Sequence, residues 1–154
     1  MLPGEKQERV EDRLLDGTRR VGYTEGHHLR KTPMSLPTHP DELLLLHNPR
    51  CSKSRQVKAL LEERGIEFVE RRYLEDALDG EELTDLAGRL SQPISQWIRS
   101  RESAFAESGL SEQSGEGELI AAVAANPILM ERPILIRGQA ARVGRPPESV
   151  LSLL

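Results

Sequence analysis

The chain has 154 residues, of which 37% are hydrophobic, 30% are charged and one is a cysteine, and its formal net charge is −4. The length suits one domain, the acidic balance disfavours non-specific nucleic-acid binding, and one cysteine excludes an internal disulfide or a four-cysteine zinc site. A lone cysteine suits a reducing compartment. The first residues show no apolar stretch of the kind found in secretory signals, and no apolar run approaches the roughly 18 residues that span a bilayer. We therefore expect a cytoplasmic protein with no membrane or nucleic-acid partner.

The first forty residues differ from the rest because charges of both signs alternate there without a sustained apolar period, and prolines close the segment. Such a composition buries too little apolar surface to offset the entropy cost of ordering. We therefore predict a flexible leader over residues 1–40 and a folded domain over 41–154. His27 and His28 lack a cysteine or a spaced partner, so we predict solvated loop histidines and no metal site.

The domain begins with a pattern that predicts a strand, a helix and a second strand. Leu43 to Leu46 is a run of leucines, typical of a strand buried on both faces. A loop follows, and a helix with a narrow apolar stripe is predicted from about Cys51 to Arg64. Residues 66–74 alternate apolar and polar side chains, which favours a strand. The three elements should form a right-handed βαβ unit.

Residues 79–130 are predicted to form a helical insertion. Asp79 with Glu82 gives a capping-box start for the first helix. The second helix is predicted from the spacing of three apolar residues, Ile94, Trp97 and Ile98. The third is the alanine-rich stretch 118–125.

The last segment predicts a hairpin and a closing helix. PILIRGQAARVG, residues 133–144, should turn at Gly138, and Pro146 and Pro147 suit the first turn of a helix that runs to Leu154. The order β-α-β, helical insertion, β-β-α predicts an α/β protein with a mixed sheet and the thioredoxin-like topology.

Cys51 is the candidate nucleophile. It lies at the predicted junction of strand and helix, where the unpaired first amide groups of the helix carry partial positive charge and favour a thiolate. Arg50, Lys53 and Arg55 add positive charge nearby, and the thiolate is the nucleophilic form of cysteine. Taken alone, a single cysteine is more often a small buried hydrophobe than a nucleophile, and it is the basic neighbours that favour the nucleophile here.

The loop around Cys51 is a candidate anion site. Several of its backbone amides could point inward and hold a tetrahedral oxyanion, which makes binding candidates of four loop residues, Asn48, Ser52, Lys53 and Ser54. His47 ends the strand and could hold the loop or tune the cysteine. A strand-end histidine with its own hydrogen-bond partners is the alternative.

Three arginines lie near apolar sequence or proline: Arg99, Arg132 and Arg145. Guanidinium groups bind oxyanions bidentately, although spacing alone does not show that the three converge on Cys51. Pro133, after Arg132, suits either a cis peptide bond or the first position of a strand.

Three motifs resemble the glutaredoxin-linked arsenate reductase family: HNPRCSKSR at 47–55, NPILMERPILI at 126–136 and RVGRPPESVL at 142–151. The resemblance covers about residues 43–154 and is closer to the branch of arsenate reductase-like proteins. It implies a thioredoxin-like fold with an inserted helical bundle and no bound cofactor.

The resemblance also implies roles for individual residues. The nucleophile falls on Cys51, and the arginines that support the oxyanion fall on Arg132, Arg145 and, through a looser match, Arg99. The loop histidine of the family falls on His47. The loop reads RCSKS rather than ACGTS, and this more basic sequence could shift the preferred substrate.

The implied reaction is reduction of arsenate through a cysteine–arsenate adduct, with glutathione and glutaredoxin as external reductants. An outside thiol is also required by the cysteine count, because one cysteine cannot form an internal resolving disulfide. Two alternatives are a general monothiol oxidoreductase acting on glutathione mixed disulfides and a redox regulator that binds RNA polymerase. The second is disfavoured because the positions of a C-x-x-C switch read Cys51-Ser52-Lys53-Ser54.

Overall fold

A computed structural model describes residues 34–154 of the chain. The part of the predicted leader up to residue 33, with His27 and His28, lies outside the described residues. The elements in chain order are β1 Leu43–Leu46, α1 Ser52–Glu63, β2 Val69–Arg71, α2 Gly80–Leu90, a 3₁₀ turn Ile94–Gln96, α3 Ser103–Ser108, α4 Glu116–Ala125, a 3₁₀ turn Pro127–Leu129, β3 Ile134–Arg137, β4 Ala140–Val143 and a 3₁₀ helix Pro147–Leu153.

The four strands form one mixed sheet in the order β2-β1-β3-β4. β1 runs parallel to β2 and antiparallel to β3, and β3 pairs with β4 in an antiparallel hairpin. This arrangement confirms the predicted thioredoxin-like topology with its helical insertion. Because β1 and β2 are parallel, their carboxyl ends meet at one edge of the sheet, and α1 starts from that edge.

The sheet separates two hydrophobic cores, which explains the leucine run of β1. Leu44 and Leu46 face a large core shared with the helical insertion, whereas Leu45 faces a smaller core formed with α1 and the last 3₁₀ helix. All three side chains are buried. A strand between two cores has no solvent face, so both alternating positions must be apolar.

Two predicted helices take other forms. The stretch Ile94 to Ile98 is not the predicted helix. It is one 3₁₀ turn, after which Ile98 forms an antiparallel bridge with Met130. The amide of Arg99 donates to the carbonyl of Leu129 at 2.7 Å. Backbone pairing with a segment about thirty residues further along the chain therefore replaces the local helical hydrogen bonds.

The predicted closing helix is a 3₁₀ helix, Pro147–Leu153. Pro146 and Pro147 supply no amide donors to its first turn, and its bonds span three residues, as from Ser149 to the carbonyl of Pro146. The second strand is also shorter than predicted, with three residues instead of nine, because β2 is an edge strand that pairs only with Leu44–Leu46.

The predicted leader ends too late in the sequence. Residues 34–40 lie on the folded unit that begins at Met34. Leu36 is buried in the large core, and the carbonyl of Pro37 accepts a hydrogen bond of 2.6 Å from Arg89. Arg89 and Pro37 are distant in sequence, so the local composition of residues 34–40 does not reveal this contact.

Within residues 34–154, no helix has both the length and the apolar content needed to cross a bilayer.

Candidate active site

Cys51 occupies the residue directly before the first turn of α1. Its backbone is extended, with φ −92° and ψ 125°, and its residue is 8% exposed. The sulfur makes no hydrogen bond of capping geometry, yet the amide groups of the first turn face it. This position fits the expected combination of a strand end and a helix start.

The charge state of Cys51 is set by opposing influences. Burial raises the pKa of the thiol, but the backbone amides of Ser54 and Lys53, the charge of Arg132 and the hydroxyl of Ser54 together outweigh it, and the pKa lies below its usual value. A cysteine with a lowered pKa holds more thiolate at neutral pH, and the thiolate is the reactive form.

Asn48 and Ser54 hold the loop in shape. The amide of Asn48 donates to Oγ of Ser54 at 3.3 Å, and Oδ1 of Asn48 accepts from the amide of Arg50 at 3.0 Å. The carbonyl of Asn48 accepts from the amide of Cys51 at 3.0 Å. Asn48 and Ser54 are both buried, so the fixed loop keeps the first amides of α1 directed at the sulfur.

The other two loop candidates are placed differently. Ser52 is exposed and Lys53 is half-buried, and both belong to the first turn of α1. The amide of Lys53 is one of the groups that lower the pKa of Cys51. Arg55 folds back on the loop and donates to the carbonyl of Pro49 at 2.9 Å.

His47 links the two parallel strands. Its amide donates to the carbonyl of Arg71 at 2.9 Å, and its residue is 2% exposed. Burial lowers the pKa of the imidazole, which Glu70 partly offsets, and the charges of Lys58 and Arg72 lower it further. The ring is therefore neutral near pH 7, so that His47 can hold the loop but does not supply a positive charge.

Several buried polar atoms lack a hydrogen-bond partner, and some of them belong to residues near Cys51. Across residues 34–154, the buried side-chain nitrogens and oxygens that lack a hydrogen-bond partner are Nδ1 of His47, Oη of Tyr73 and both Nε and Nη1 of Arg132. Such atoms are rare in folded proteins because leaving them unpaired is costly. Tyr73 and Arg132 both interact electrostatically with Cys51, so the unpaired atoms of these two residues indicate a site prepared for a polar ligand.

Arg99 and Arg145 meet at a cleft of about 280 Å³ that Glu131 also lines. Nε of Arg145 lies 2.9 Å from Oε1 of Glu131, and Nε of Arg99 lies 4.0 Å from the same oxygen. Arg99 also pairs with Glu102. Nε of Arg145 donates to the carbonyl of Arg132 at 2.9 Å, which ties the cleft to the surroundings of Cys51.

The peptide bond between Arg132 and Pro133 is cis, as is the bond between Arg145 and Pro146. Gly144 lies between these segments in a tight space. A Cβ atom there would come within 2.7 Å of Val57 on α1 and 2.9 Å of Pro133, so only glycine lets the hairpin approach α1 this closely.

Two residues of this region escaped the sequence reasoning. Glu131 stands next to Arg132 in the ERP motif, and an acid there should have drawn attention in a predicted anion site. Tyr73 lies in the stretch predicted as the second strand, and nothing in the local sequence distinguishes it from an ordinary buried aromatic residue. Only its burial beside charged neighbours distinguishes it: burial raises the pKa of Tyr73 to about 12, against the lowering effect of Arg132.

The fold and the site together define a thioredoxin-like protein with a single activated thiol beside arginines. The chain belongs to the ArsC family, whose model matches residues 46–153.

Similar proteins match about three quarters of this chain and nearly their own full length. It is 42% identical over 115 residues to YfgD of Escherichia coli, described as uncharacterized, which covers 73% of this chain and 97% of the relative. It is 37% identical over 114 residues to an arsenate reductase of Haemophilus influenzae, with 73% and 98% covered. Among solved structures, an arsenate reductase from Vibrio cholerae matches with a TM-score of 0.71 and 40% identity, over 75% of this chain and all of that one.

Proposed function

We propose that the protein is an arsenate reductase, an oxidoreductase in which Cys51 attacks arsenate. One observation carries the proposal. The cysteine with the lowered pKa lies beside Arg132, whose buried Nε and Nη1 have no partner within the described part of the chain. A thiolate next to an unpaired guanidinium suits a reaction between sulfur and an oxyanion.

The first step joins the thiolate to the substrate. The sulfur of Cys51 attacks arsenic, a sulfur–arsenic bond forms, and one arsenate oxygen takes up protons and leaves as water. Arsenic stays pentavalent in this adduct. Arg132 would balance the negative charge that builds on the remaining oxygens, as guanidinium groups do at reacting oxyanions.

The second step reduces arsenic with electrons from outside the chain. Glutathione attacks the sulfur of Cys51, the sulfur–arsenic bond breaks with its electron pair left on arsenic, and arsenite departs. A mixed disulfide between Cys51 and glutathione remains, and a glutaredoxin thiol would reduce it by exchange. Because the chain has one cysteine, its own thiols cannot resolve the disulfide. This chemistry suits the thiol-rich cytoplasm.

The test is NADPH oxidation that depends on arsenate, coupled through glutathione, glutaredoxin and glutathione reductase. We expect Cys51→Ser to abolish turnover and Arg132→Ala to slow it by about a hundredfold or more, the usual loss when an oxyanion-stabilising group is removed. Arg64→Ala is the matched control, since Arg64 is exposed at the end of α1, and it should keep the rate.

Unchanged turnover in Cys51→Ser would refute the nucleophile, and a normal rate in Arg132→Ala would remove that arginine from the mechanism. A protein that reduces glutathione mixed disulfides through Cys51 but shows no arsenate-dependent turnover would instead be a general monothiol oxidoreductase.

A further inference from the structure

We propose that Glu131 is an internal competitor for the oxyanion and determines how tightly the site binds it. The inference rests on the proposed anion site of Cys51 and its arginines. It concerns the step before chemistry, in which an anion must reach guanidinium groups that a carboxylate already occupies.

The proposal depends on the position of one carboxylate oxygen of Glu131. Oε1 of Glu131 lies 2.9 Å from Nε of Arg145 and 4.0 Å from Nε of Arg99, and it accepts a hydrogen bond of 3.2 Å from the amide of Arg132. The guanidinium groups of Arg145 and, at a longer distance, Arg99 therefore face a single carboxylate oxygen, and the backbone amide of Arg132 donates to the same atom. An oxyanion held by Arg145 and Arg99 would need the guanidinium groups that this carboxylate faces.

The cleft leaves space for a ligand, although two of the guanidinium groups that line it, those of Arg99 and Arg145, already contact acids. It holds about 280 Å³, and its lining includes Arg99, Arg145 and Glu131 together with a second acid, Glu102, paired with Arg99. Glu131 is 27% exposed at its side chain and Arg145 is 39% exposed. The ion pair is thus accessible to solvent, and surface pairs of this kind exchange partners at low cost.

Two effects of the carboxylate weaken anion binding. The anion must break the pair between Glu131 and Arg145 before it can use that guanidinium. The displaced carboxylate then stays near the anion as a like charge, and like charges at a few ångströms repel one another appreciably near a protein surface. Arg132 is different, because its side-chain Nε and Nη1 remain unpaired. Glu131 therefore reduces the contribution of Arg145 and Arg99 while leaving that of Arg132.

The consequence is weaker binding of tetrahedral oxyanions in general. The side chain of Arg132 stays available, whereas Arg145 and Arg99 are partly neutralised by acids. Glu131 therefore lowers the occupancy of the site by any such anion, whether or not the anion can react with the thiol.

The experiment measures protection of Cys51 from alkylation by iodoacetamide. The chain has one cysteine, so incorporation reports that sulfur alone. Two anions are used, arsenate and sulfate, the latter a tetrahedral dianion that thiols do not reduce. We expect Glu131→Gln to lower the half-protecting concentration of both anions by about tenfold, which is the size expected for removing a nearby like charge.

Glu107→Gln is the matched control. Glu107 is exposed on α3 and does not line the cleft, so the same change of net charge should alter protection by less than about twofold. Comparison of the double variant Glu131→Gln/Arg145→Ala with the single variant Arg145→Ala tests whether Glu131 and the anion compete for Arg145. In the Arg145→Ala background, the gain from Glu131→Gln should shrink to about threefold or less, because the guanidinium it would release is gone.

Unchanged or weaker protection in Glu131→Gln would overturn the proposal, since Glu131 would then only position the arginines. An equal gain in Glu107→Gln, or the full tenfold gain without Arg145, would overturn it as well. Absence of protection by either anion in both wild type and Glu131→Gln has the same meaning. Failure of the proposed function is separate, because it appears as missing arsenate turnover while sulfate still protects Cys51.

Discussion

At the scale of single residues, the surroundings of Cys51 combine two unequal influences. Burial opposes the thiolate, whereas local amides and the charge of Arg132 favour it and prevail. The pKa of the thiol is thus lowered although the residue is only 8% exposed. The groups that favour the thiolate, amides and a guanidinium, are also groups that bind anions, so the proposed oxyanion would use the same surroundings as the ionised sulfur.

Tyr73 gives a prediction about alkaline pH. Its pKa is raised from 10.0 to about 12, mainly by burial, so the folded state keeps the proton more tightly than the unfolded chain. The stabilisation is complete below about pH 10 and is lost as the pH rises towards 12, a difference of roughly 2–3 kcal/mol. We expect Tyr73→Phe to remove this part of the alkaline loss of stability.

The measurement is urea unfolding of wild type and Tyr73→Phe at about pH 8 and about pH 11.5. At the lower pH the two should differ little, or the variant should be slightly more stable, because the buried hydroxyl has no partner. If the stability of both proteins declines in parallel between the two pH values, Tyr73 does not titrate as argued.

The sequence predicted the residues whose role follows from local position. Cys51 was placed by the junction of a strand and a helix, and the structure confirms that junction. The meeting of Arg99 with Arg145 was implied by the family resemblance but could not be derived from local patterns, because it depends on the bridge between Ile98 and Met130, about thirty residues apart. Glu131 at their centre is a consequence of that same pairing.

At the scale of elements, Glu82 in the first turn of α2 both caps the helix and pairs with the buried guanidinium of Arg71. Arg71 has no exposed side-chain surface, and its guanidinium contacts both oxygens of Glu82 at 2.7 and 3.0 Å. Oε2 of Glu82 also accepts a hydrogen bond of 3.1 Å from the amide of Asp79, which is one half of the predicted capping box. Since the carbonyl of Arg71 accepts a hydrogen bond from the amide of His47, the start of α2 supports the strand end that leads into the Cys51 loop.

We expect Glu82→Gln to cost about 3 kcal/mol of unfolding free energy, because it leaves a buried guanidinium poorly compensated. Asp79→Ala, the matched control, removes only the helix cap and should cost about 1 kcal/mol. Both values come from chemical denaturation at neutral pH. Equal costs would show that Asp76, 3.3 Å from Nε of Arg71, carries the charge balance instead of Glu82.

The second helix of the insertion shows where local patterns fail. Ile94, Trp97 and Ile98 have helical spacing, and all three are buried, so the pattern identified core positions correctly. The backbone nevertheless takes a tighter turn followed by extended pairing, because the amide of Glu131 bonds to the carbonyl of Trp97 at 2.9 Å. Apolar spacing records burial, and it cannot record which distant backbone groups compete for the hydrogen bonds.

At the scale of the whole molecule, one buried arginine joins three distant segments. Nη1 of Arg89, on α2, donates to the carbonyl of Pro37 at 2.6 Å and to that of Gly138 at 2.5 Å. Gly138 has φ +51°, and a Cβ atom there would lie 2.8 Å from the backbone of Pro40. The hairpin turn therefore closes on residues 34–40, a contact that needs glycine for both its conformation and its space.

The order of strands and helices was predictable because each element carries its own pattern, whereas the start of the folded unit was not. Leu36 tests this boundary. Its side chain lies in the large core and is 6% exposed, so Leu36→Ala should lower the free energy of unfolding by about 2–4 kcal/mol. Leu154→Ala is the control, since Leu154 is 40% exposed and should cost less than about 0.5 kcal/mol.

Urea unfolding gives both values, and the rate of Cys51 alkylation at pH 7 should stay the same in the folded Leu36→Ala protein, because Leu36 packs with the insertion core and not with the cysteine loop. A cost no larger than that of Leu154→Ala would mean that residues 34–40 contribute nothing to the folded state, as the composition of the leader originally suggested. A large cost requires the folded unit to begin before the first strand, where Arg89 and Gly138 hold the segment in place.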